Sequence, residues 1–336
     1  LSWRGKARAA LEPFLPATST DADAIGPLVR ARFGDEVHER LVDALVGSIY
    51  AADTDRFSLA AVPQLADLAS RERSLLLGAR KMRRRMPLSS GPIFAAPTAG
   101  IGALVDAVAA ALRGAGGTIV TSSPVAAVER DGTRWRVDDE SYDAVVLASP
   151  ARATGPLVAG AAPDAARLMG QLDHADVLLV TMLVPDQQWP VAALGRSGYL
   201  VPKPDQRFVT AASFGSQKWA HWKPPGGGQV VRVSLGRDGL PVDHLDDAAA
   251  VGGAVDELGR HIGADIAPTE VRVSRWPGAF PQHRPHHARW VAAVAAALPP
   301  GLHVGGASYH GIGIPACVRQ AHQIVESLTR GEPTAR

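Results

Sequence analysis

Residues 301–318 have the sequence GLHVGGASYHGIGIPACV, and this stretch indicates the fold more strongly than any other part of the chain. The apolar run from Leu302 to Gly305 predicts a short buried strand. The glycines and small residues after it let a ligand approach the backbone closely, and Pro315 suits the first turn of a helix expected from Ala316 to Leu328. Free N–H groups at such a helix start attract electron-rich oxygens. The stretch therefore predicts either a ligand cradle or a tight packing turn between a strand and a helix.

Segments before this stretch continue the α/β pattern. The apolar run from Asp143 to Ala148 predicts a buried strand that leads directly into residues 149–151. An amphipathic helix is expected from Gly102 to Arg113, ended by the glycines that follow. Between this helix and that strand we expect three short strands, the last two joined by a hairpin turn at Asp131-Gly132: Thr118 to Thr121, Val125 to Arg130 and Arg134 to Val137.

The first 87 residues have helical periodicity. One helix is predicted to bury a single apolar face, because its apolar residues recur at i, i+4 spacing: Val37, Leu41, Leu45 and Ile49. A second helix is expected around Leu59 to Leu68, with Pro63 tolerated near its first turn. Residues 89–100 are expected to form a loop.

The middle of the chain is rich in predicted strands, which are Val177 to Val184, Gly198 to Val201, Phe208 to Ser213, Gln229 to Leu235 and Val271 to Trp276. Helices are expected from Asp246 to Ile262 and from Ala288 to Leu298. Mixed runs of strands and helices predict a fold with both α/β and α+β parts.

Composition excludes several classes of protein. The 336 residues are 46% hydrophobic and 20% charged, which excludes a disordered chain. One cysteine excludes a disulfide scaffold and suits a reducing cytosol, so a cytoplasmic location is expected. A net charge of +2 predicts no nucleic-acid partner, and no apolar stretch is long enough for a transmembrane segment. The basic run from Lys81 to Arg85 is typical of a solvated loop, with a phosphate, carboxylate or anionic-lipid contact as the alternative.

Common catalytic motifs are absent from the sequence. It has no G-x-x-x-x-G-K-[ST], G-x-S-x-G, H-E-x-x-H or paired C-x-x-C, and no G-x-G-x-x-G after an early strand. His283, His286 and His287 form a small cluster, but two prolines and an unfamiliar spacing favour a polar surface loop over a metal site. We therefore expect no metal.

The 301–318 stretch resembles the C-terminal FAD-contact segment of the protoporphyrinogen/coproporphyrinogen oxidase family, within the amine-oxidase-like flavoproteins. Further similar segments follow the family's order: LSWRGKARAA at 1–10, RFGDEV at 32–37, LVGSIYAAD at 45–53, DAVVLASPA at 143–151, GYLVP at 198–202, Lys218-Trp219, Trp276 and Pro281-Gln282. Three departures stand out: Ser48 and Ala52 replace family glycines, and 281–287 reads PQHRPHH where the family has P-Q-Y-x-x-G-H. The resemblance also implies an N-terminal Rossmann unit, carrying G-x-G-x-x-G, which is missing here.

What the resemblance implies for the fold is an FAD-binding domain of amine-oxidase type, a strand-rich substrate domain and a helical domain. The implied boundaries are 1–88 for the helical domain, 89–155 for a return segment of the FAD-binding domain, 156–287 for the substrate-binding domain and 288–330 for the C-terminal FAD-binding segment. Because the first strand–helix unit is missing, exposed apolar surface is expected.

The implied activity is oxidation of a porphyrinogen to the porphyrin by FAD in heme biosynthesis, with O2 as acceptor and H2O2 as by-product. Coproporphyrinogen III is preferred over protoporphyrinogen IX as substrate, and its four propionates would need cations, for which Arg80, Lys81 and Arg83 are candidates. Ferrochelatase is expected to receive the product, and the helical domain is expected to associate peripherally with a membrane. Two alternatives remain: another amine-oxidase-like flavoenzyme, or a non-catalytic remnant that binds porphyrin.

The resemblance also assigns site residues. Those expected to contact FAD are Val125, Trp276, Gly306, Ala307, Ile312, Gly313 and Ile314. Those expected near the porphyrinogen are Ser48, Ser197, Leu200 and Ser234. No catalytic acid or base is expected, because flavin chemistry asks the protein to position and shield the substrate. A core aromatic is the alternative interpretation of Trp276.

Overall fold

Helices form the first part of the chain in the computed structural model, which describes residues 1–85 and 95–330. They are α1 (Trp3–Ala10), α2 (Ile25–Phe33), α3 (Asp35–Val37), α4 (Asp43–Tyr50), α5 (Pro63–Arg71) and α6 (Leu75–Arg85). Ile25, Val29 and Phe57 are among the buried side chains of their common core. Pro63 is the first residue of α5, so this helix begins four residues after the expected start around Leu59, while Pro63 lies in its first turn as predicted. The basic run at 81–85 belongs to α6, so the expectation of a loop there is wrong.

A π-helical turn, His38–Val42, joins α3 to α4 into one continuous helix. Only Val37 of the predicted apolar face is buried, whereas Leu41, Leu45 and Ile49 are 52%, 54% and 57% exposed. The expectation of a single buried face is therefore wrong. Its physical reason is the i→i+5 bonding of the π turn, which adds a residue to the turn and rotates every later side chain relative to the earlier ones.

A mixed α/β part follows, formed by α7 (Gly102–Gly114), β1 (Val128–Asp131), β2 (Arg134–Val137), β3 (Glu140–Tyr142), β4 (Val145–Leu147), α8 (Ala151–Val158) and α9 (Pro163–Met169). Strands β1, β2 and β3 make an antiparallel sheet in which Asp131 pairs with Arg134 across the predicted hairpin. Residues 86–94, with the expected domain boundary at 88/89 and part of the expected loop, lie outside the described ranges.

Two expectations for this part are wrong. Thr118 to Thr121 forms no strand, and the strand expected from Val125 begins only at Val128. A strand needs a neighbour for its backbone hydrogen bonds, and no segment of residues 1–85 or 95–330 pairs with 115–127. The sequence pattern also missed β3, α8 and α9; α8 contains Pro156, which is unfavourable inside a helix.

A five-stranded antiparallel sheet forms the centre of the chain. Its elements are β5 (His174–Val184), β6 (Gly198–Leu200), β7 (Val209–Phe214), α10 (Gly215–Lys218), β8 (Gln229–Leu235), α11 (Asp247–Ile262) and β9 (Glu270–Pro281), with strand order β6-β7-β8-β5-β9. The predicted strands and the helix capped by Asp246 are confirmed here, and β9 extends five residues beyond its predicted end at Trp276.

The two faces of this sheet differ. On one face Leu178, Val180, Val233 and Leu235 are buried in a core with residues of α11. On the other face, which we term the open face, Leu200, Ala211, Ser234, Leu179 and Ser274 lie opposite one another in a row across all five strands. Directly opposed residues of antiparallel strands project to the same side, so these five side chains share the open face, and Ala51 packs on part of it against Leu179.

The chain ends with α12 (His287–Ala297), β10 (Leu302–Val304) and α13 (Ile314–Arg330). Strand β10 pairs in parallel with β4, although the two are separated by more than 150 positions. Both predicted strands are confirmed in shortened form. The last helix starts at Ile314, two residues before its expected start, with Pro315 in its first turn.

Apolar surface is exposed on α7, which buries none of its residues. Leu104, Val105, Val108 and Leu112 are all exposed, in agreement with the sequence expectation. Within the described ranges, no helix has both the length and the hydropathy needed to cross a bilayer.

Candidate functional site

A cleft of about 320 Å³ lies between the end of α4 and the open face of the sheet. Its lining residues are Gly47, Ser48, Ala51, Val177, Leu179, Thr210, Ser234, Gly236, Trp276, Ala279 and Phe280. The structure thus brings three sequence-predicted site residues together: Ser48, Ser234 and Trp276. The volume lies at the lower end of the range for small-molecule pockets, and the cleft continues onto the open face.

Trp276 stands at the edge of this cleft. It lies opposite Val177 in the β5–β9 pair, and 52% of it is exposed. The interpretation as a core aromatic is therefore wrong, and a large flat ring is available to a ligand.

Ser48 has a hydroxyl with no partner. Its Oγ is buried, and no hydrogen bond to it is found in the described part of the chain. An unpaired buried hydroxyl costs free energy, so the cleft offers a ligand a hydrogen-bonding group that the protein itself leaves unused.

Leu200 and Ser197 are not among the lining residues. Leu200 lies on the open face, in the same row as Ser234 but two strands away. Ser197 immediately precedes β6, and its carbonyl accepts a hydrogen bond from Phe214 N–H. Of these two predicted residues, Leu200 shares a surface with the cleft.

A buried ion pair fixes α4 from its first residue, Asp43. Arg237, two residues beyond β8, donates from Nη1 to Asp43 Oδ2 at 2.6 Å and from Nη2 to Asp43 Oδ1 at 2.9 Å. Asp43 Oδ1 also accepts the Thr54 hydroxyl at 2.5 Å. Despite burial, which opposes ionisation, the Arg237 guanidinium lowers the pKa of Asp43. A Cβ on Gly47 would lie 2.7 Å from Arg237 Nη1, so only glycine leaves room for the pair.

A second set of charges lies beside this pair. Lys203 Nζ donates to Asp53 Oδ1 at 2.7 Å and to Asp55 Oδ2 at 2.9 Å. Burial opposes ionisation of Asp55, but hydrogen bonds from Arg30 and Lys203 lower its pKa to about 2. The LVGSIYAAD segment therefore attaches the helical part to the strand-rich part.

The other N-terminal segments similar to the family's motifs also have structural roles. Ser2 caps α1 and donates its hydroxyl to Glu36 at 2.6 Å. Arg32 is buried against Glu12. These residues hold the helices together, and none of them lines the cleft.

The predicted cofactor residues Gly306, Ala307, Ile312, Gly313 and Ile314 lie on one turn between β10 and the start of α13. Gly306 has φ of +109°, and a Cβ there would lie 3.3 Å from the Ala148 carbonyl oxygen. Its N–H donates to Gln320 Oε1 at 3.0 Å. Val125 is exposed and precedes β1 by three residues.

Two buried histidines hold this turn. His283 Nε2–H donates to the Ala307 carbonyl at 3.1 Å, and His287 Nε2–H donates to the Ser308 and Tyr309 carbonyls at 3.1 and 3.0 Å. Their rings stack with centroids 3.9 Å apart. The expectation of a polar surface loop at 281–287 is therefore wrong for both residues. Within residues 1–85 and 95–330, no cluster of three or more potential metal ligands occurs.

Burial lowers the pKa of His283 to about 3 and that of His287 to about 4, since a charged imidazole would lose its hydration there. Both rings are therefore neutral near pH 7. The adjacent His286 is exposed and has φ of +64°, at the position where the family's motif has glycine.

The turn and the cleft are connected through the end of β9. Phe280 lines the cleft, and Gln282, two residues later, donates from Nε2 to the Ala51 carbonyl at 3.3 Å. His283 then contacts Ala307 of the turn. One short segment thus positions both the wall of the cleft and the turn at 305–314 between β10 and α13, which we term the glycine turn.

The turn and the cleft suit a flavin cofactor on their own geometry. The parallel strands β4 and β10 end side by side, and crevices at such strand ends are common nucleotide sites. Gly306 has no side chain to keep a ligand away from the backbone there. The start of the 17-residue α13 follows, and free N–H groups at a helix start bind phosphate oxygens. Trp276 provides an aromatic surface at the edge of the cleft.

The cations expected to hold propionates lie elsewhere. Arg80, Lys81 and Arg83 are on α6, and none of them lines the cleft. Lys81 donates to Glu72 at 2.8 Å.

Comparisons with known proteins agree with this geometry. A family model described as flavin containing amine oxidoreductase matches residues 1–328. Coproporphyrinogen III oxidase of Mycobacterium tuberculosis (strain ATCC 25618 / H37Rv) is 34% identical over 327 residues, covering 95% of this chain and 69% of that protein. Coproporphyrinogen III oxidase of Bacillus subtilis (strain 168) is 27% identical, covering 98% of this chain and 72% of that protein.

A solved structure from Exiguobacterium sp. 255-15, described provisionally as a protoporphyrinogen oxidase, superposes with a TM-score of 0.82. It is 27% identical, and the superposition covers 99% of this chain and 73% of that one.

Proposed function

The chain belongs to the flavin-containing amine oxidoreductase family, and from this membership we propose that it takes part in FAD-dependent oxidation of a porphyrinogen to the porphyrin. Coproporphyrinogen III is the preferred substrate, in accordance with the names of the relatives at 27–34% identity. Protoporphyrinogen IX is the alternative.

The observation that carries the proposal is the connection of the cleft to the glycine turn through residues 280–283. Flavin and substrate must lie next to each other for hydride transfer, and this connection fixes the two surfaces relative to each other. Gly306, Ala307, Ile312, Gly313 and Ile314 would hold the cofactor, with Trp276 at the edge of the cleft and Val125 just before β1 as further contacts. Ser48 and Ser234 would contact the macrocycle in the cleft, and Leu200 and Ser197 would lie further along the open face.

The side chains of the cleft fit this chemistry. None of its described lining residues carries a carboxylate, imidazole, amine or thiol, so the described part of the chain places no such acid or base in the cleft wall. Bound flavin would supply the two-electron oxidation: in each of three rounds it would accept a hydride from a methylene bridge, the macrocycle would release a proton, mainly from pyrrole N–H groups, and O2 would be reduced to H2O2. Val177, Leu179 and Phe280 would exclude water from the reacting bridge.

The assignment of regions remains part of the proposal. Residues 1–88 would form the helical domain, 89–155 and 288–330 the FAD-binding segments, and 156–287 the substrate-binding domain. A cytoplasmic location with peripheral membrane contact, and product transfer to ferrochelatase, complete it.

A second candidate function is porphyrin binding without oxidation. Ser48 and Ala52, which stand where the family has glycines, favour it, because side chains there narrow the space for a macrocycle beside the flavin.

An FAD titration of the purified chain, followed by flavin absorbance and fluorescence, tests the proposal. We expect saturable binding and, under O2, conversion of coproporphyrinogen III to the fluorescent porphyrin with H2O2 formation. Gly306→Ala should weaken FAD binding, because its Cβ would approach the Ala148 carbonyl. Gly263→Ala is the matched control, since Gly263 also has positive φ but has open space around it.

Each outcome separates the candidates. Porphyrin binding without FAD binding or oxidation would support the second candidate. No binding of either FAD or porphyrin would contradict both.

A further inference from the structure

Two arginines flank Thr181 on the open face of the sheet. Arg232 of β8 and Arg272 of β9 each lie directly opposite Thr181 of β5. Their side chains therefore project to the same side, with backbones two strand spacings apart, or about 10 Å. Ser213 lies opposite Arg232 in the same row, and its hydroxyl accepts a hydrogen bond from Lys218 Nζ at 3.3 Å.

Neither arginine has a carboxylate partner within the described ranges. Arg232 stacks over the Trp222 ring with a separation of 4.8 Å, and its Nε is buried without a hydrogen-bond acceptor. Burial lowers the pKa of Arg232, which reflects a partly desolvated cation that lacks an anion. Glu270 lies two residues before Arg272 on the same face, opposite Leu183.

Arg275 provides the contrast. It lies on the same strand as Arg272 but projects to the opposite face, where its guanidinium bonds Asp247 at 2.5 Å. Arg275, on the covered face, is thus neutralised by the protein, whereas Arg232 and Arg272 have no such carboxylate among residues 1–85 and 95–330.

This arginine pair shares the open face with residues that line the cleft. The residues of β5 that project to the open face are Val177, Leu179 and Thr181. Val177 is opposite Trp276, Leu179 is opposite Ser234, and Thr181 is opposite both arginines. The arginines therefore lie about 7 Å beyond the Ser234 row, at the end away from Trp276.

We propose that Arg232 and Arg272 form a carboxylate subsite that binds propionate side chains of a porphyrinogen lying along the open face. This proposal rests on the proposed function. It adds that these two arginines select a substrate by its carboxylate groups. Guanidinium groups bind carboxylates through paired, charge-assisted hydrogen bonds. A substrate with four propionates can place carboxylates at both arginines while another part of its ring lies at Ser48 and Trp276.

The test measures binding of coproporphyrin III, the four-carboxylate product, and of its tetramethyl ester by absorbance titration of the full chain. The wild type should bind the acid more tightly than the ester. Arg232→Gln and Arg272→Gln should each weaken acid binding about tenfold, the effect of losing one charge-assisted contact, and leave ester binding unchanged. Arg275→Gln is the matched control and should retain wild-type affinity for both.

Arg232→Lys tests whether charge or packing matters, because it keeps the cation and should recover part of the lost affinity. The subsite proposal would be overturned if the glutamine variants lost acid and ester binding equally. It would also be overturned if both variants kept wild-type affinity for the acid. A wild-type chain that binds neither porphyrin would contradict the proposed function itself, and the subsite with it.

Discussion

The guanidinium of Arg237 and the carboxylate of Asp43 form a bidentate ion pair in which both side chains are buried. Asp43 belongs to α4 and Arg237 follows β8, so the pair joins the two walls of the cleft. Thr54 donates its hydroxyl to the same carboxylate and accepts from His38 Nε2, which extends the network into the helical part. The cleft therefore depends on a buried charge pair that does not line it.

Removal of one member should be strongly destabilising. Arg237→Met leaves Asp43 as an uncompensated buried charge, and we expect a loss of about 3–5 kcal/mol in the free energy of unfolding. Urea denaturation followed by circular dichroism measures it. The double variant Arg237→Met, Asp43→Asn should recover much of that loss, since no buried charge remains. Equal stability of the single and double variants would contradict this account.

Two glycine-to-alanine changes in helices should alter the free energy of unfolding in opposite directions. Gly47→Ala in α4 places a Cβ 2.7 Å from Arg237 Nη1 and 2.9 Å from the Ala52 carbonyl, so we expect destabilisation by about 1–3 kcal/mol. Gly252→Ala in α11 meets nothing within 4 Å and should stabilise by about 0.5–1 kcal/mol through helix propensity. Thermal or urea unfolding compares the two; a gain for Gly47→Ala would show that the pair has room to move.

Ser48→Ala should raise stability and lower ligand affinity. The change removes a buried hydroxyl without a partner and adds helix propensity, so we expect about 1 kcal/mol of stabilisation. Coproporphyrin binding should weaken several-fold if this hydroxyl contacts the macrocycle. Ser70→Ala in α5 is the control, because its hydroxyl is exposed and bonds only its own helix. Unchanged porphyrin affinity in Ser48→Ala would remove Ser48 from the site.

Acid should destabilise the glycine turn. The pKa of His283 is lowered to about 3 and that of His287 to about 4 in the folded chain, against about 6.5 when unfolded. At pH values between the folded and unfolded pKa values of these histidines, the unfolded chain binds more protons than the folded chain. Their contribution to the free energy of unfolding is therefore fully present well above pH 6.5 and falls as the pH drops toward 4. Urea midpoints at pH 7.5, 6 and 5 should decrease in this order.

His283→Phe keeps a stacked ring but removes one titrating group, so its stability should depend less steeply on pH over the same range. His244→Gln, at an exposed position, should keep the wild-type slope. A His283→Phe slope equal to that of the wild type would assign the acid sensitivity to other groups.

Local patterns predicted the central sheet well because its strands alternate between a core face and an open face. They failed where a distant partner decides the structure. Thr118 to Thr121 has strand-forming residues but no neighbour among the described segments, and Leu41, Leu45 and Ile49 are turned outward by a π turn that apolar spacing does not reveal.

The site shows the same limit. Ser48, Ser234 and Trp276 were predicted by resemblance to a family and share the cleft. Arg237 and Asp43 were missed because 194 positions separate them, although an aspartate within an apolar helix is a signal of a buried partner. His283 and His287 were misplaced because their polarity suggests a surface, whereas backbone carbonyls of the turn satisfy them.

The π turn His38–Val42 also affects how related sequences should be compared. Such a turn contains one residue more than a regular helical turn, so a relative with an uninterrupted α-helix here has one residue fewer. An alignment that follows apolar spacing through residues 35–50 would then assign the wrong counterpart to Ser48 unless a one-residue gap is placed within 38–42. After that gap, the alignment should match Asp43 and Gly47 to their counterparts, because both residues are fixed by contact with Arg237.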